Sequence, residues 1–579
     1  MAWLTLASTI GAVLATTVGY IVQATFRHRL KIYKLRKQGI ASLKTQSHAS
    51  IPDVNDLLTS VKPMPEGWSW VFGHLLVLQK YVDGIPPDAA VAFAMRDLSR
   101  EFADTELFLM DFWPVYPALY TCFGPEAIHE ICVKYNLPKT EQASKFMHPV
   151  AGGPSLLSMN GSQWKYWRSL FNPGFSSGAM LDNVPHIVDS VLVFRQKLFD
   201  MVGKGFFSLD EMTTRLTMEI ILKISLDHDS NYQQSDHVLA TALGRIIAVH
   251  SFWNPFILMN PLRPIIQNYN GRIMDRYIRG ELDKRFQEAK LEGTGGSTSN
   301  KSVIALALKA YFKEKADTDI QKQDRIDPVF AQYATSQIRV FLFAGNDTTA
   351  SMMVYVYHRL SKHPKWLSKL RQEHDEVFGN TPADAADLIK ESPSLLNKCP
   401  LTLAVIKETM RLHAPAGTMR WGAPGTFITD LQGNLQPMDD TVGANILHQA
   451  LHLNPRAWPR AEEFLPERFL VGPEDPLYPV DAAYRPFEAG PRNCIGQTLV
   501  WNELKVAAIL TCRELEIRDA YADFDAKRER EMGWFARVKR RLFGAPIRTV
   551  HGDRAYQSDS GGLHPVNGYP CYVSRVEAN

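Results

Sequence analysis

The feature that most limits what this 579-residue chain can become is a ten-residue stretch near its C-terminal end, Phe487-Glu-Ala-Gly490-Pro-Arg492-Asn-Cys494-Ile-Gly496. It sets one cysteine beside an arginine inside a glycine-bounded loop. Glycines let backbone N–H groups turn toward sulfur, and a nearby guanidinium favours thiolate over thiol, so the sequence predicts a metal-bound thiolate. A zinc or iron–sulfur site takes several protein ligands, and no partner Cys or His lies near Cys494. One thiolate suffices as the axial ligand of a haem. The competing reading is a buried structural cysteine in a turn.

The spacing Phe-x-x-Gly-x-Arg-x-Cys-x-Gly resembles the haem-binding signature of the cytochromes P-450, the haem-thiolate monooxygenases. The resemblance implies haem b as cofactor, with Cys494 as the axial ligand of its iron and Phe487 packed near the sulfur. It covers the chain from about Pro63 to the end, with its motifs in the expected order. It departs at Pro437-Met-Asp-Asp440, where a Pro-x-Gly turn is expected, and at a charged insertion of about 516–545 that ends in a basic and aromatic run, Trp534 to Phe543.

Apolar periodicity is helical over most of the chain, with strand-like runs near the start of the body and in its last third. This predicts a mainly α fold with small β-sheets in one large domain, residues 63–579, and the resemblance makes it the P-450 fold. The longest helix should run from about Pro328 to just before Pro364, apolar all round and therefore buried. In its middle lies Ala344-Gly345-Asn346-Asp347-Thr348-Thr349, mostly weak helix formers. Gly345 removes bulk and Thr348 can bond backbone or ligand, so the helix is expected to open into a groove there. The pair Asp347 and Thr348 resembles the family's acid–alcohol pair, which manages protons for O–O cleavage.

Glu408 and Arg411, at i and i+3 on one helical face, can pair, and an apolar setting demands a further partner. Arg468 supplies it, in an arrangement resembling the family's structural Glu-Arg-Arg triad. Haem carries two propionates, so cationic donors are needed. Trp164 and Arg168 resemble the family's Trp-x-x-x-Arg helix that reaches one propionate; Arg492 and Arg420 are the other candidates.

Charge is nearly balanced at +3, which implies no nucleic-acid partner. The six cysteines are sparse and unpatterned, as in a reducing compartment. No charge occurs from Ala2 to Phe26, and Arg27, Arg29, Lys31, Lys34, Arg36 and Lys37 follow. This predicts a transmembrane anchor over 1–26, a basic linker and hinge over 27–62, with the hinge grading into the body near His74, and a catalytic domain facing the cytosol; resemblance to the family's microsomal type implies that the single-pass anchor sits in the endoplasmic reticulum membrane.

By resemblance, the chain is a monooxygenase that takes electrons from an NADPH-dependent reductase docked near Lys165, Arg485 and Arg492. It would insert one atom of O2 into an apolar small molecule, in secondary-metabolite biosynthesis. Pocket walls are expected from the loop before Trp164, Phe252 and Trp253, Val340 to Ala344, Ala416 to Met419, and Tyr556 to Gly562. Two rival readings are a haem-thiolate isomerase or dehydratase that does not use O2, and a non-catalytic membrane haem carrier or sensor. Intact Asp347-Thr348 argues against both.

Overall fold

In the computed structural model the described residues are 16–34, 63–251, 255–292, 302–314, 325–534, 547–560 and 562–576. Five helices frame the centre of the molecule: α1 (Gly161–Phe171), α2 (Leu209–Leu226), α3 (Pro328–Lys362), α4 (Pro400–Leu412) and α5 (Gln497–Thr511). Helix α3 starts where its sequence says it should. The Asp327 side chain accepts from the Phe330 N–H at 2.8 Å, and Pro328 takes the first turn, where no N–H is missed. Asp327 thus satisfies an end of a helix that is buried along most of its length. Between Ala334 and His358 only Phe343, Ala344, Gly345 and Thr348 are not buried.

Small sheets flank this helical body. The largest has four strands in the order Leu107–Met110, Leu119–Cys122, Gly443–Ile446, Thr418–Trp421. Its middle pair is parallel and its outer pairs antiparallel. Because side chains alternate along a strand, Thr418 and Arg420 share one buried face. A second sheet joins Phe207–Ser208, Pro570–Arg575 and Leu515–Asp519, and a hairpin pairs Gln557–Ser560 with Gly562–Pro565. Where the sequence departs from Pro-x-Gly, the Asp439 carboxylate accepts from the Thr441 N–H at 2.9 Å, so an Asx turn does the work expected of glycine.

Several expectations change. Helix α3 is helical throughout and does not open at Gly345. A Cβ there would lie 2.9 Å from the Ile221 side chain, so the glycine lets α2 pack closely on α3. Thr217 of α2 secures that contact by donating to the Asn346 side chain at 2.7 Å. The insertion read over about 516–545 begins too early, because Glu516 to Asp519 are strand residues paired with the C-terminal strand. The basic run beyond Trp534 lies outside the described residues, as does most of the hinge. The part of the hinge that is described belongs to the body: His74 is fully buried, and Pro63 accepts a backbone bond from Leu109 at 2.8 Å.

Of the segment read as an anchor, residues 1–15 lie outside the described residues. Residues 16–34 are helical, and their His28 and Arg29 bond the buried Asp111 carboxylate. Among the described residues no helix is long and apolar enough to cross a membrane.

Helix α5 carries one costly group. Glu503 is fully buried, and neither carboxylate oxygen has a hydrogen-bond partner among the described residues. Burial pushes its carboxyl pKa well above the ordinary value. A raised folded-state pKa contributes stability that is present below the unfolded value near 4.3 and lost as pH rises through the folded one. Glu503→Gln should therefore stabilise the protein at pH 7–8, on the order of 1–3 kcal/mol, with the gain fading toward pH 4. Thermal unfolding across that pH range measures it, and a destabilised variant at pH 8 contradicts it.

Candidate active site

The loop that presents Cys494 is tied at both ends and along one flank. The Cys494 N–H closes a turn onto the Phe487 carbonyl at 2.9 Å, and Gly496 caps α5 immediately beyond. Gly490 has φ +80°, and a Cβ on it would come within 2.9 Å of the Cys132 carbonyl, so glycine is required at this approach. The Phe487 ring packs edge-on to Trp501 of α5, with centroids 4.8 Å apart. Glu488 bonds His448 at 2.7 Å and Arg485 at 2.9 Å. Burial alone would raise the Glu488 carboxyl, but His448 and Arg485 hold it well below the usual range.

Cys494 itself is exposed, whereas the other five cysteines are buried; all six are free. Even so, burial within the fold pushes its thiol up, outweighing the Gly496 N–H and the Arg168 guanidinium, which both favour thiolate. Access to solvent together with a desolvated setting describes a sulfur on the wall of an interior cleft. A metal cation bound to this sulfur would favour the thiolate form against that burial.

Arg168, on α1, sits beside this sulfur. Three of its N–H groups are already used, by Asn172 at 2.8 Å and by the Asn493 carbonyl and side chain at 3.0 and 3.2 Å. Its position therefore clamps the cysteine loop to α1. Trp164, one turn earlier on α1, is buried beneath the Arg492 guanidinium, 4.6 Å from ring centroid to carbon. Arg492 donates to the Met159 carbonyl and the Asn160 side chain, both at 2.9 Å, while its Nε and Nη1 have no partner among the described residues. Arg420 is fully buried; Nη1 reaches the Leu137 carbonyl at 3.3 Å, and Nε and Nη2 are unpaired among the described residues.

A third cation joins them that sequence reasoning missed. Lys139 donates to the Thr418 hydroxyl, on the strand face that also carries Arg420. Burial, with Arg420 next in weight, pushes the Lys139 ammonium down to about 7, and burial and Arg420 together push Arg492 down to about 10. Like charges held together with unfilled donors are a cost unless an anion completes them. Two carboxylates of one ligand would do so, and the two propionates of haem fit. A lone lysine in a connector carries no motif, which is why it escaped notice; only its approach to the arginine strand gives it meaning.

The triad residues converge in the core, all fully buried. Arg411 grips Glu408 through two bonds of 2.7 and 2.8 Å, and Arg468 reaches the same carboxylate at 3.1 Å. Arg411 also donates to the carbonyls of His452, Ala461 and Glu463, so the triad pins the segment that leads into the cysteine loop.

On α3, the Thr348 hydroxyl donates to the Ala344 carbonyl at 2.8 Å, on the strip of that helix left open. Asp347 is buried and turned elsewhere: its Oδ1 meets His564 Nε2 at 3.0 Å. Of the expected pocket residues, Phe252 and Trp253 lie outside the described residues. Phe341 packs into the core against Phe171 and Phe175, leaving Phe343 and Ala344 half open. Tyr556 is buried with its hydroxyl on Asp88. Arg485, expected at a docking surface, is fully buried and cannot meet a partner protein.

A profile of the cytochrome P450 family matches residues 63–531. Cytochrome P450 monooxygenase polC of Polytolypa hystricis is 38% identical over 523 residues, 89% of each chain. Cytochrome P450 monooxygenase acrF of Aspergillus aculeatus is 30% identical over 512 residues, 85% of this chain and 99% of that protein. Among solved structures, the haem domain of cytochrome P450DA superposes with a TM-score of 0.66 over 89% of this chain and 98% of that one, at 18% identity, a likeness of fold.

Arg420→Met and Lys139→Met should each lower haem occupancy of the purified protein. Loss of one charge-assisted hydrogen bond, about 1.5–3 kcal/mol, corresponds to at least roughly tenfold weaker retention. Haem transfer to apomyoglobin measures it, and wild-type retention in both variants contradicts the assignment.

Proposed function

Because the chain belongs to the cytochrome P450 family and is a monooxygenase whose cofactor is haem on a cysteine thiolate, we propose that Cys494 is the residue that ligates its iron. The observation that carries this is the sulfur itself: Cys494 alone among the six cysteines is exposed, at the head of α5 and beside Arg168. Arg420, Arg492 and Lys139 hold the propionates, Trp164 supports Arg492 by stacking, Arg168 fixes the loop, and Phe487 shields the sulfur. When bound, haem supplies the activation of O2 from which one oxygen atom enters substrate and the other leaves as water.

The protein's own contribution to that chemistry is placement and protons. Thr348, on the open strip of α3, holds a proton on its hydroxyl within reach of a ligand lying along that strip, and releases the Ala344 carbonyl to do so. Asp347, next to it, replenishes that proton. The half-open Phe343, Ala344 and Met419 offer an apolar wall, which favours an apolar small-molecule substrate and sheds water around it. We place this activity in secondary-metabolite biosynthesis.

Electrons come from an NADPH-dependent reductase. Exposed Lys165, on the outer face of the helix that carries Arg168, is the docking residue we retain. Membrane attachment through residues 1–26, with the body in the cytosol, is supported by the uncharged run and the basic cluster after it. It is also supported by exposed apolar side chains on helix 16–34, Tyr20, Ile21, Val22 and Phe26, and on the adjacent Trp70, Val71 and Phe72.

Two variants test the reading. Cys494→Ala should abolish the thiolate-type carbon monoxide spectrum of the reduced protein while far-UV circular dichroism shows the fold retained; an unchanged spectrum rejects the ligand. Thr348→Ala should keep haem but release reducing equivalents as hydrogen peroxide. Wild-type peroxide yield per NADPH in that variant rejects the proton role.

A further inference from the structure

The acid Asp347 is built into a second constellation on the side of α3 that meets α2 and the C-terminal hairpin. His564, on the hairpin strand Gly562–Pro565, stands between two carboxylates from different helices. Its Nδ1 meets Asp210 of α2 at 2.7 Å and its Nε2 meets Asp347 of α3 at 3.0 Å. The approach is fitted by a missing side chain: a Cβ on Gly562 would stand 1.7 Å from the second Asp347 oxygen. The hairpin is fixed against the helix by the Ser351 hydroxyl, which donates to the Leu563 carbonyl at 2.6 Å. All three groups line one cavity of about 380 Å³ between α2, the helix Val238–Ala248 and the hairpin. Exposed Gly244 lies at its mouth, and Tyr232 is the only other titratable group on its walls among the described residues.

We propose that His564 is the proton donor that recharges Asp347, held in register by Asp210 and resupplied by water from this cavity. The proposal rests on the reading of Asp347 and Thr348 given above and names where their protons enter. With both ring nitrogens bonded to carboxylates, the ring is an imidazolium. Burial by itself would lower its pKa, but Asp210 and Asp347 hold it well above the ordinary histidine value. The Nε2–H bond breaks as an Asp347 O–H bond forms, leaving neutral imidazole with its Nδ1–H still on Asp210. Asp347 then turns toward Thr348 with the proton. The vacated Nε2 faces the cavity and takes one proton from hydronium there, so each proton delivered inward is matched by one drawn from solvent. Asp210 neither gains nor loses a proton; it is a positioning residue that keeps Nδ1 protonated and Nε2 aimed at Asp347.

The test uses the haem-loaded full chain with NADPH, reductase and O2, and no substrate is required. In such turnover protons decide whether O2 leaves as hydrogen peroxide or as water. His564→Gln should shift that partition toward peroxide by roughly tenfold, since solvent can partly replace one positioned donor worth about 10²–10⁴-fold, and it should flatten the partition's dependence on pH above about 6.5, where the wild-type ring loses its proton. Asp210→Asn should shift it in the same direction by less. A readout independent of turnover is the thermal unfolding midpoint. The raised His564 pKa contributes stability that is full below about 6.5 and lost as pH rises through the folded value, so the gap between wild type and His564→Gln should be widest at acid pH and close on the alkaline side. A wild-type partition and pH profile in His564→Gln, with Thr348→Ala shifted, overturns the relay and leaves the assigned function standing. If Thr348→Ala is also unshifted, it is the underlying reading that has failed.

Discussion

Everything at the centre of this protein follows from the need to fix one sulfur atom while leaving it open. Cys494 is accessible, yet the loop around it is bonded on every side. Its N–H is spent on Phe487, Asn493 is clamped by Arg168, Glu488 is shared by His448 and Arg485, and Gly496 leads directly into α5. Behind this loop the Glu408 network ties α4 to the chain between His452 and Arg468, mostly through arginine bonds to backbone carbonyls. Buried charge is an expensive way to join segments that lack regular structure, but it fixes geometry in three directions where apolar packing would fix one.

The same centre is electrostatically incomplete. Lys139, Arg420 and Arg492 are desolvated together, and six guanidinium nitrogens nearby, two each on Arg420, Arg485 and Arg492, have no partner among the described residues. Burial also pushes the Cys494 thiol up. A cofactor bringing one metal cation to the sulfur and two carboxylates to the cations resolves both imbalances at once. Binding and stability are therefore coupled: whatever fills this cleft stabilises the folded chain by mass action, and protons leave the thiol as it does so.

Much of this was legible in the chain. The ends of α3 are written in Pro328 and Pro364, the Glu408–Arg411 pair follows from i, i+3 spacing plus the demand for a further partner, and the family resemblance names Arg468 as that partner. What sequence could not give was side-chain direction. Gly345 has the same spelling whether it opens a groove or admits Ile221, and only the placement of α2 decides. Tyr556 and Arg485 have types that suit a pocket wall or a docking face, yet tertiary contacts bury both. Lys139 and His564 stand in no motif; each acquires meaning from a strand that packs beside it from far away in sequence. The orientation of Asp347 toward the hairpin, rather than toward Thr348, belongs to the same class of information.

The central claim is that Cys494 presents its sulfur to the iron of a haem held by Lys139, Arg420 and Arg492. Anomalous diffraction at the iron absorption edge, from crystals of the haem-loaded protein, tests it most directly. The account predicts one iron within bonding distance of Cys494 Sγ, with the macrocycle's carboxylates on those three cations. An iron held by any other side chain, or propionates turned away from Arg420 and Arg492 into solvent, would contradict it.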